Sequence, residues 1–207
     1  MTADRPVSLE QKILRTIRRK GRGSVFINSD FYKLGTDTAV AWCLRKLKNA
    51  GIIRFLLRGV YDYPKFSKLL NEDLAPDMHR VAHALARKHR WNILPSGNTA
   101  LQYWDLSTQI PLRLLYCSDG PNRCYKIGNR TLEFRHVSRK ESNLLSAECE
   151  MFIQAVKELG ARCMKKPYID KWADILTPLL RKQLQAELPR LASRERELIR
   201  KIINHNQ

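Results

Sequence analysis

The segment from Asn28 to Tyr63 constrains the fold more tightly than any other part of the chain. A short helix capped by Asn28 or Ser29 is expected to stop after Leu34, where Gly35 breaks it. Thr36 or Asp37 then caps a longer basic helix whose apolar residues Val40, Leu44 and Leu47 recur at i, i+4 and i+7. Gly51 supplies a left-handed C-terminal cap. Two β-rich runs follow, Ile52 to Leu56 and Val60 to Tyr63, joined around Leu57-Arg58-Gly59 and closed by Pro64. Helix, tight turn, basic helix and basic-tipped hairpin, in that order, predict a winged helix-turn-helix, which binds duplex DNA by laying its second helix in the major groove.

The helix face opposite Val40, Leu44 and Leu47 is then the face open to DNA. It carries Thr38, Ala41, Trp42 and Arg45, flanked by Lys46 and Lys48. Arg45 suits a guanine edge, Thr38 and Ala41 suit a thymine methyl, and the lysines suit phosphates. Trp42 either stacks near the DNA or covers a neighbouring helix. The wing-tip Arg58 and Arg22, in the basic cluster after the first helix, are expected to grip the backbone. The competing reading is an αα-hairpin and β-hairpin that pack without touching nucleic acid.

Charge weighs against that alternative. The 207 residues hold 38 Lys+Arg and 20 Asp+Glu, a formal charge of +18. Residues 1–65 hold 14 basic and 5 acidic side chains, a net +9, and the remaining 142 residues carry another +9. The positive charge is about twice as dense at the front, and duplex DNA rewards such density through counterion release.

The first helix begins with Ser8 and Gln11 at capping-box spacing, and Leu9, Ile13, Leu14 and Ile17 form its apolar stripe. Arg15, Arg18, Arg19, Lys20 and Arg22 crowd its end, where cations also suit the helix dipole. Val25-Phe26-Ile27 reads as a short strand that pairs with the wing.

The expected organisation is α+β: residues 1–65 as the winged helix-turn-helix, 66–76 as a linker, and 77–207 as a second domain with a small antiparallel sheet and several helices. A helix is expected from Asp77 to His89, a short strand at Ile93-Leu94, and a short helix capped by Ser96 or Asn98. Three strand-like runs follow, Pro111 to Cys117, Arg123 to Ile127 and Thr131 to His136, read as an antiparallel meander. Helices are expected over Glu148–Leu159, Tyr168–Leu176, Leu179–Leu188 and Leu191–Ile203, with Pro178 and Pro189 at helix starts or kinks. No secretory signal and no membrane-length apolar run is evident. Five scattered cysteines without a CxxC pair indicate reduced thiols in a cytoplasm and argue against a zinc site.

Several groups resemble catalytic or ligand-binding parts without completing a motif. His79 and His83 lie one helical turn apart but lack an evident third ligand, so no metal is expected. Ser96, Gly97, Ser107, Thr108 and Gln109 supply hydroxyls and backbone donors, and Arg113 is placed to approach a phosphate. Helix capping and turn formation account for that group more simply. With no triad, phosphate loop or cofactor signature, the chain reads as a non-enzyme without a cofactor.

Pro95-Ser96-Gly97-Asn98-Thr99-Ala100-Leu101 and Leu106-Ser107-Thr108-Gln109-Ile110-Pro111 resemble the hallmark segment of AbiEi-type antitoxins of the AbiE abortive-infection (type IV) toxin–antitoxin systems of bacteria. Arg113 to Tyr116, Asp119-Gly120, Tyr125 to Gly128 and Leu132 to Phe134 continue the likeness. At the front, Leu44, Leu47, Gly51 to Arg54 and Arg58 to Tyr61 are similar to the winged-helix signature of that family. The resemblance covers roughly residues 8 to 160. Trp104-Asp105-Leu106 departs from it, standing where a Leu-Gly-Leu turn is expected, although Asp tolerates the left-handed backbone. What the resemblance implies is a protein with two tasks: binding the operon's own promoter to repress it, and counteracting, directly or indirectly, a nucleotidyltransferase-like toxin. The alternatives are a stand-alone winged-helix transcriptional regulator with a C-terminal sensing or interaction domain, and a nuclease.

Overall fold

A computed structural model describes residues 7–108, 111–137 and 147–205. The protein is mixed α+β and divides into two compact units, residues 1–91 and 92–207.

The first unit opens with α1 (Leu9–Lys20), started by the Ser8/Gln11 capping box, with Ile13 and Ile17 buried. Then come β1 (Val25–Ile27), one 3-10 turn (Asn28–Phe31) and α2 (Asp37–Asn49). The expected helix before Gly35 thus shrinks to a single turn. Neither Asn28 nor Ser29 caps it; the Asp30 carboxylate accepts from the Ile27 amide at 3.2 Å. Thr36, rather than Asp37, caps α2, its hydroxyl accepting from the Ala39 amide at 3.4 Å. β2 (Arg54–Leu57) and β3 (Val60–Asp62) form the hairpin, and β1 adds to β3, giving an antiparallel sheet of order β1-β3-β2. Arg58 and Gly59 make its turn, which needs the left-handed backbone that Gly59 adopts at φ 69°. Ile13, Ile17, Phe26, Phe31, Val40, Cys43, Leu44, Leu47 and Ile53 close one apolar core.

The segment expected to be a linker is structured. β4 (Phe66–Ser67) and β5 (Glu72–Asp73) pair antiparallel, and the Leu74 amide returns to the Lys65 carbonyl at 2.8 Å. Its polar residues reflect a hairpin turn, with Asn71 left-handed at φ 52°, not a tether between domains. The next helix, α3 (Met78–His89), packs on β1 and β3. Arg80 donates to the Gly23 carbonyl at 3.2 Å and Arg87 reaches Asp30 at 3.1 Å. The boundary therefore falls after Trp91, not before Asp77. Counted to Trp91, 19 basic and 8 acidic residues place +11 on the first unit.

The second unit holds a four-stranded sheet made of β6 (Ile93–Ser96), β7 (Arg113–Ser118), β8 (Arg123–Ile127) and β9 (Arg130–His136). Its order is β6-β7-β9-β8, with β7 and β9 parallel. The expected meander is overturned because β9 inserts between its two predecessors. Leu132 and Phe134 on β9 are fully buried, which suits a central strand, whereas Arg123, Cys124 and Lys126 on β8 are exposed, which suits an edge. Between β6 and β7 lies α4 (Asn98–Tyr103), whose N-terminal cap position is Gly97 with no side-chain cap bond. Neither Ser96 nor Asn98 serves there. Asp105 does adopt the left-handed backbone, at φ 52°.

Among the described residues four helices follow: α5 (Ala147–Leu159), α6 (Lys166–Ile175), α7 (Pro178–Glu187) and α8 (Ser193–His205). Pro178 opens α7 at a position where a missing amide costs nothing, and Pro189 lies in a 3-10 turn, Leu188–Arg190. Phe152 and Trp172, with ring centroids 4.6 Å apart, anchor the helical core. None of the five cysteines is in a disulfide. Among the described residues no helix is long and apolar enough to cross a membrane.

Candidate nucleic-acid interface

The outward face of α2 follows from its buried one. Because Val40, Cys43, Leu44 and Leu47 face the core, Thr38, Trp42, Arg45 and Lys48 are turned to solvent, and Ala41 is half-buried. Trp42 remains 60% exposed. It therefore does not cover a neighbouring helix, and the Lys46 ammonium lies over its ring at 5.5 Å. Thr36 and Thr38 hydroxyls lie 3.3 Å apart at the N-terminal turn.

Not every proposed backbone contact is equally available. Lys46 is bonded to Glu10 at 2.6 Å, so a phosphate would have to displace a carboxylate. Arg22 donates to the Pro64 carbonyl at 3.0 Å and its guanidinium lies over the Tyr63 ring at 4.8 Å. These contacts make Arg22 a clasp between the α1–β1 turn and the end of β3. Arg45, Lys48 and the hairpin-tip Arg58 are exposed.

Two supports of this surface, Lys88 and Arg87, lie on α3, which composition alone places in the second domain. Lys88, on α3, donates through Nζ to the Arg58 carbonyl and fixes the hairpin tip. Burial and the Arg58 charge both push the Lys88 ammonium pKa down. Asp30 receives both Arg87 and, at 3.5 Å, Lys20, joining α3, α1 and the 3-10 turn. The cluster Arg87-Lys88-His89-Arg90 was the available signal. Under the hairpin, the Asp62 carboxylate is almost fully buried and pairs with Arg54 through two bonds, at 3.1 and 2.6 Å. This bond raises the Arg54 pKa above its already high ordinary value.

The second group of candidates is dispersed among structural tasks. Ser96 is buried and donates to the Gln154 side chain at 3.1 Å, tying β6 to α5. Gly97 turns β6 into α4, and Thr99 accepts from the Leu115 amide at 2.8 Å. Ser107 and Thr108 lie in the coil beyond α4, and Gln109 lies outside the described residues. Arg113 stands apart from them, in an ion pair with Glu133. Asp119 accepts from both the amide and the side chain of Asn92, at 2.8 and 2.7 Å. Among the described residues, no group of three or more His, Cys, Asp or Glu side chains is placed to hold a metal ion. Burial, with help from Arg87 and His79, lowers the His83 pKa.

Among curated proteins, none matches the chain. The model of a family of unknown function, DUF6088, matches residues 12–187, a span that reaches into both units, and the chain belongs to that family.

Proposed function

We propose that the first unit is a winged helix-turn-helix that binds duplex DNA through α2, with the β2–β3 hairpin as its wing. The observation that carries this reading is the joint exposure of Thr38, Trp42, Arg45 and Lys48 on one face of α2, together with the exposed Arg58 at the hairpin tip. Such a face offers base-edge donors flanked by phosphate contacts. The +11 on residues 1–91 supports a polyanion partner. On the resemblance to AbiEi-type antitoxins, the protein acts as promoter-binding autorepressor and antitoxin, opposing a nucleotidyltransferase-like toxin.

The test has two arms. Mobility shifts with the DNA upstream of its own gene and with scrambled duplex measure specific binding. Co-expression with the product of the adjacent gene measures growth rescue by the full chain and by its Arg45→Ala/Lys48→Ala variant. Specific binding lost in the variant while rescue persists supports both tasks and assigns them to different surfaces. Equal affinity for both duplexes refutes promoter recognition, and a toxic neighbour that is not rescued refutes the antitoxin role. A second reading, a regulator with a sensing unit, is favoured by one observation: a basic cleft of about 540 Å³ in residues 92–207.

A further inference from the structure

That cleft lies at the β7–β9–β8 side of the second sheet, and its lining is charged in a particular way. Glu133, Arg135 and His136 come from β9, Arg113 from β7 and Arg123 from β8, with Asn122 just before it. Three guanidinium groups against one carboxylate leave a net +2 with the imidazole neutral. Glu133 is the hub. Its side chain is only 14% exposed, Arg135 bonds it at 2.8 Å, and Arg113 pairs with its other oxygen. Each of those arginines nonetheless keeps more than half of its own side chain exposed, at 63% for Arg113 and 58% for Arg135. A guanidinium has five donors, so a carboxylate that holds one edge leaves other N–H groups turned outward in a fixed orientation.

Arg123 adds a third guanidinium that has no ion pair among the described residues. The β7–β8 turn also lines the cleft, through Asn122. The Asn122 side-chain oxygen accepts from the His136 amide at 2.6 Å, and the His136 ring meets the Gly120 carbonyl at 3.0 Å through Nδ1. A carbonyl only accepts, so Nδ1 is the donor in that contact.

We propose that this cleft binds a small organic phosphate monoester of the nucleotide or sugar-phosphate class, with Arg113, Arg123 and Arg135 on the phosphoryl oxygens. The charges match: a phosphate monoester carries about −1.5 to −2 near pH 7, against +2 in the cleft. The size favours more than a bare ion, since about 540 Å³ falls in the range of small-molecule sites, about 300–1,000 Å³. Guanidinium forks held by a partner lose little entropy when a phosphate arrives. The site stands whether or not the first unit binds DNA, because every residue in it belongs to the second.

Calorimetric titration of the full chain with adenosine 5′-monophosphate, ribose 5-phosphate, adenosine and inorganic phosphate tests it. The expected result is saturable binding of both monoesters, none of adenosine, and weaker binding of inorganic phosphate. Arg123→Ala and Arg135→Ala should each weaken the monoesters by about tenfold or more, the loss of a charge-assisted hydrogen bond. Arg45→Ala/Lys48→Ala should leave them unchanged, which separates the cleft from general attraction to a basic protein. Arg123 is exposed, so its variant retains the fold, and a thermal melt checks that. Absent monoester binding, binding indifferent to both cleft variants, equal binding of adenosine or inorganic phosphate, or preference for a short single-stranded RNA through the same arginines would each overturn the proposal.

Discussion

Lys88, at the end of α3, donates its ammonium to the carbonyl oxygen of Arg58, at the tip of the β2–β3 hairpin. A helix assigned by its sequence to the second domain thereby steadies an exposed basic turn of the first. The Lys88 ammonium also lies 3.7 Å from where a Cβ on Gly59 would stand, an ordinary contact, so what calls for glycine in the turn is its left-handed backbone, φ 69°.

Lys88→Met keeps the aliphatic stem and removes only the charged donor. It should loosen the hairpin tip by about 1 kcal/mol, the modest value suited to a bond near solvent. Hydrogen exchange at the Gly59 and Val60 amides should speed up, and affinity for specific and scrambled duplex should fall together. Unchanged exchange would show that the turn holds itself.

Arg45→Ala should cost about 1–3 kcal/mol of specific DNA binding if the guanidinium reads a base edge. Comparison of cognate with scrambled duplex decides the role. Equal weakening on both would make Arg45 a backbone contact.

Asp62→Ala should destabilise the first unit by about 2 kcal/mol, below the roughly 3–5 kcal/mol of a fully buried pair, because Arg54 keeps a third of its side chain exposed and can recruit water. The Arg54 bond to the Leu74 carbonyl, at 3.0 Å, should weaken with it. Urea unfolding of wild type and variant measures the difference, and a loss below about 0.5 kcal/mol would place the pair among ordinary surface contacts.

Glu133 supplies a pH signature. Arg135 first, then Arg113, hold its carboxyl below the ordinary 4.5 despite the opposing effect of burial. A carboxylate whose folded pKa is depressed stabilises fully above its unfolded value and loses that contribution as the pH falls through the folded one. The stability gap between wild type and Glu133→Gln should therefore be constant above about pH 4.5 and close below it. A gap indifferent to pH would assign the effect to packing.

Thiol chemistry should follow burial. Cys149 is buried, its thiol pushed up to about 12 by desolvation and by Glu187, Glu150 and Glu148. Burial also raises Cys43 and Cys163. Alkylation of the folded protein followed by peptide mapping should find the exposed Cys124 modified first and these three protected until unfolding. Early labelling of Cys149 would mean that the helical core opens.

Local patterns in the sequence carried much of the architecture. The Ser8/Gln11 box, the Thr36 cap, the burial of Val40, Leu44 and Leu47, and the left-handed Gly51 depend on neighbours within a turn or two, where periodicity and capping chemistry act. Strand partners are chosen across the chain. Nothing local to Arg123–Ile127 says that β9 will insert beside β7, because that order depends on which strand can bury both its faces. Composition also misplaced the domain boundary, since Asn71-Glu72-Asp73 suits a hairpin turn as well as a linker. For the same reason the candidate residues on α2 were legible from helical period alone, while the engagement of Lys46 by Glu10, the clasp of Arg22 on Tyr63 and the pairing of Arg113 and Arg135 with Glu133 were not. Secondary structure and the exposed face of a helix are short-range properties that the sequence by itself determined. Which charges meet is decided only when distant segments pack, because an ion pair forms where the tertiary structure brings opposite charges within a few ångströms.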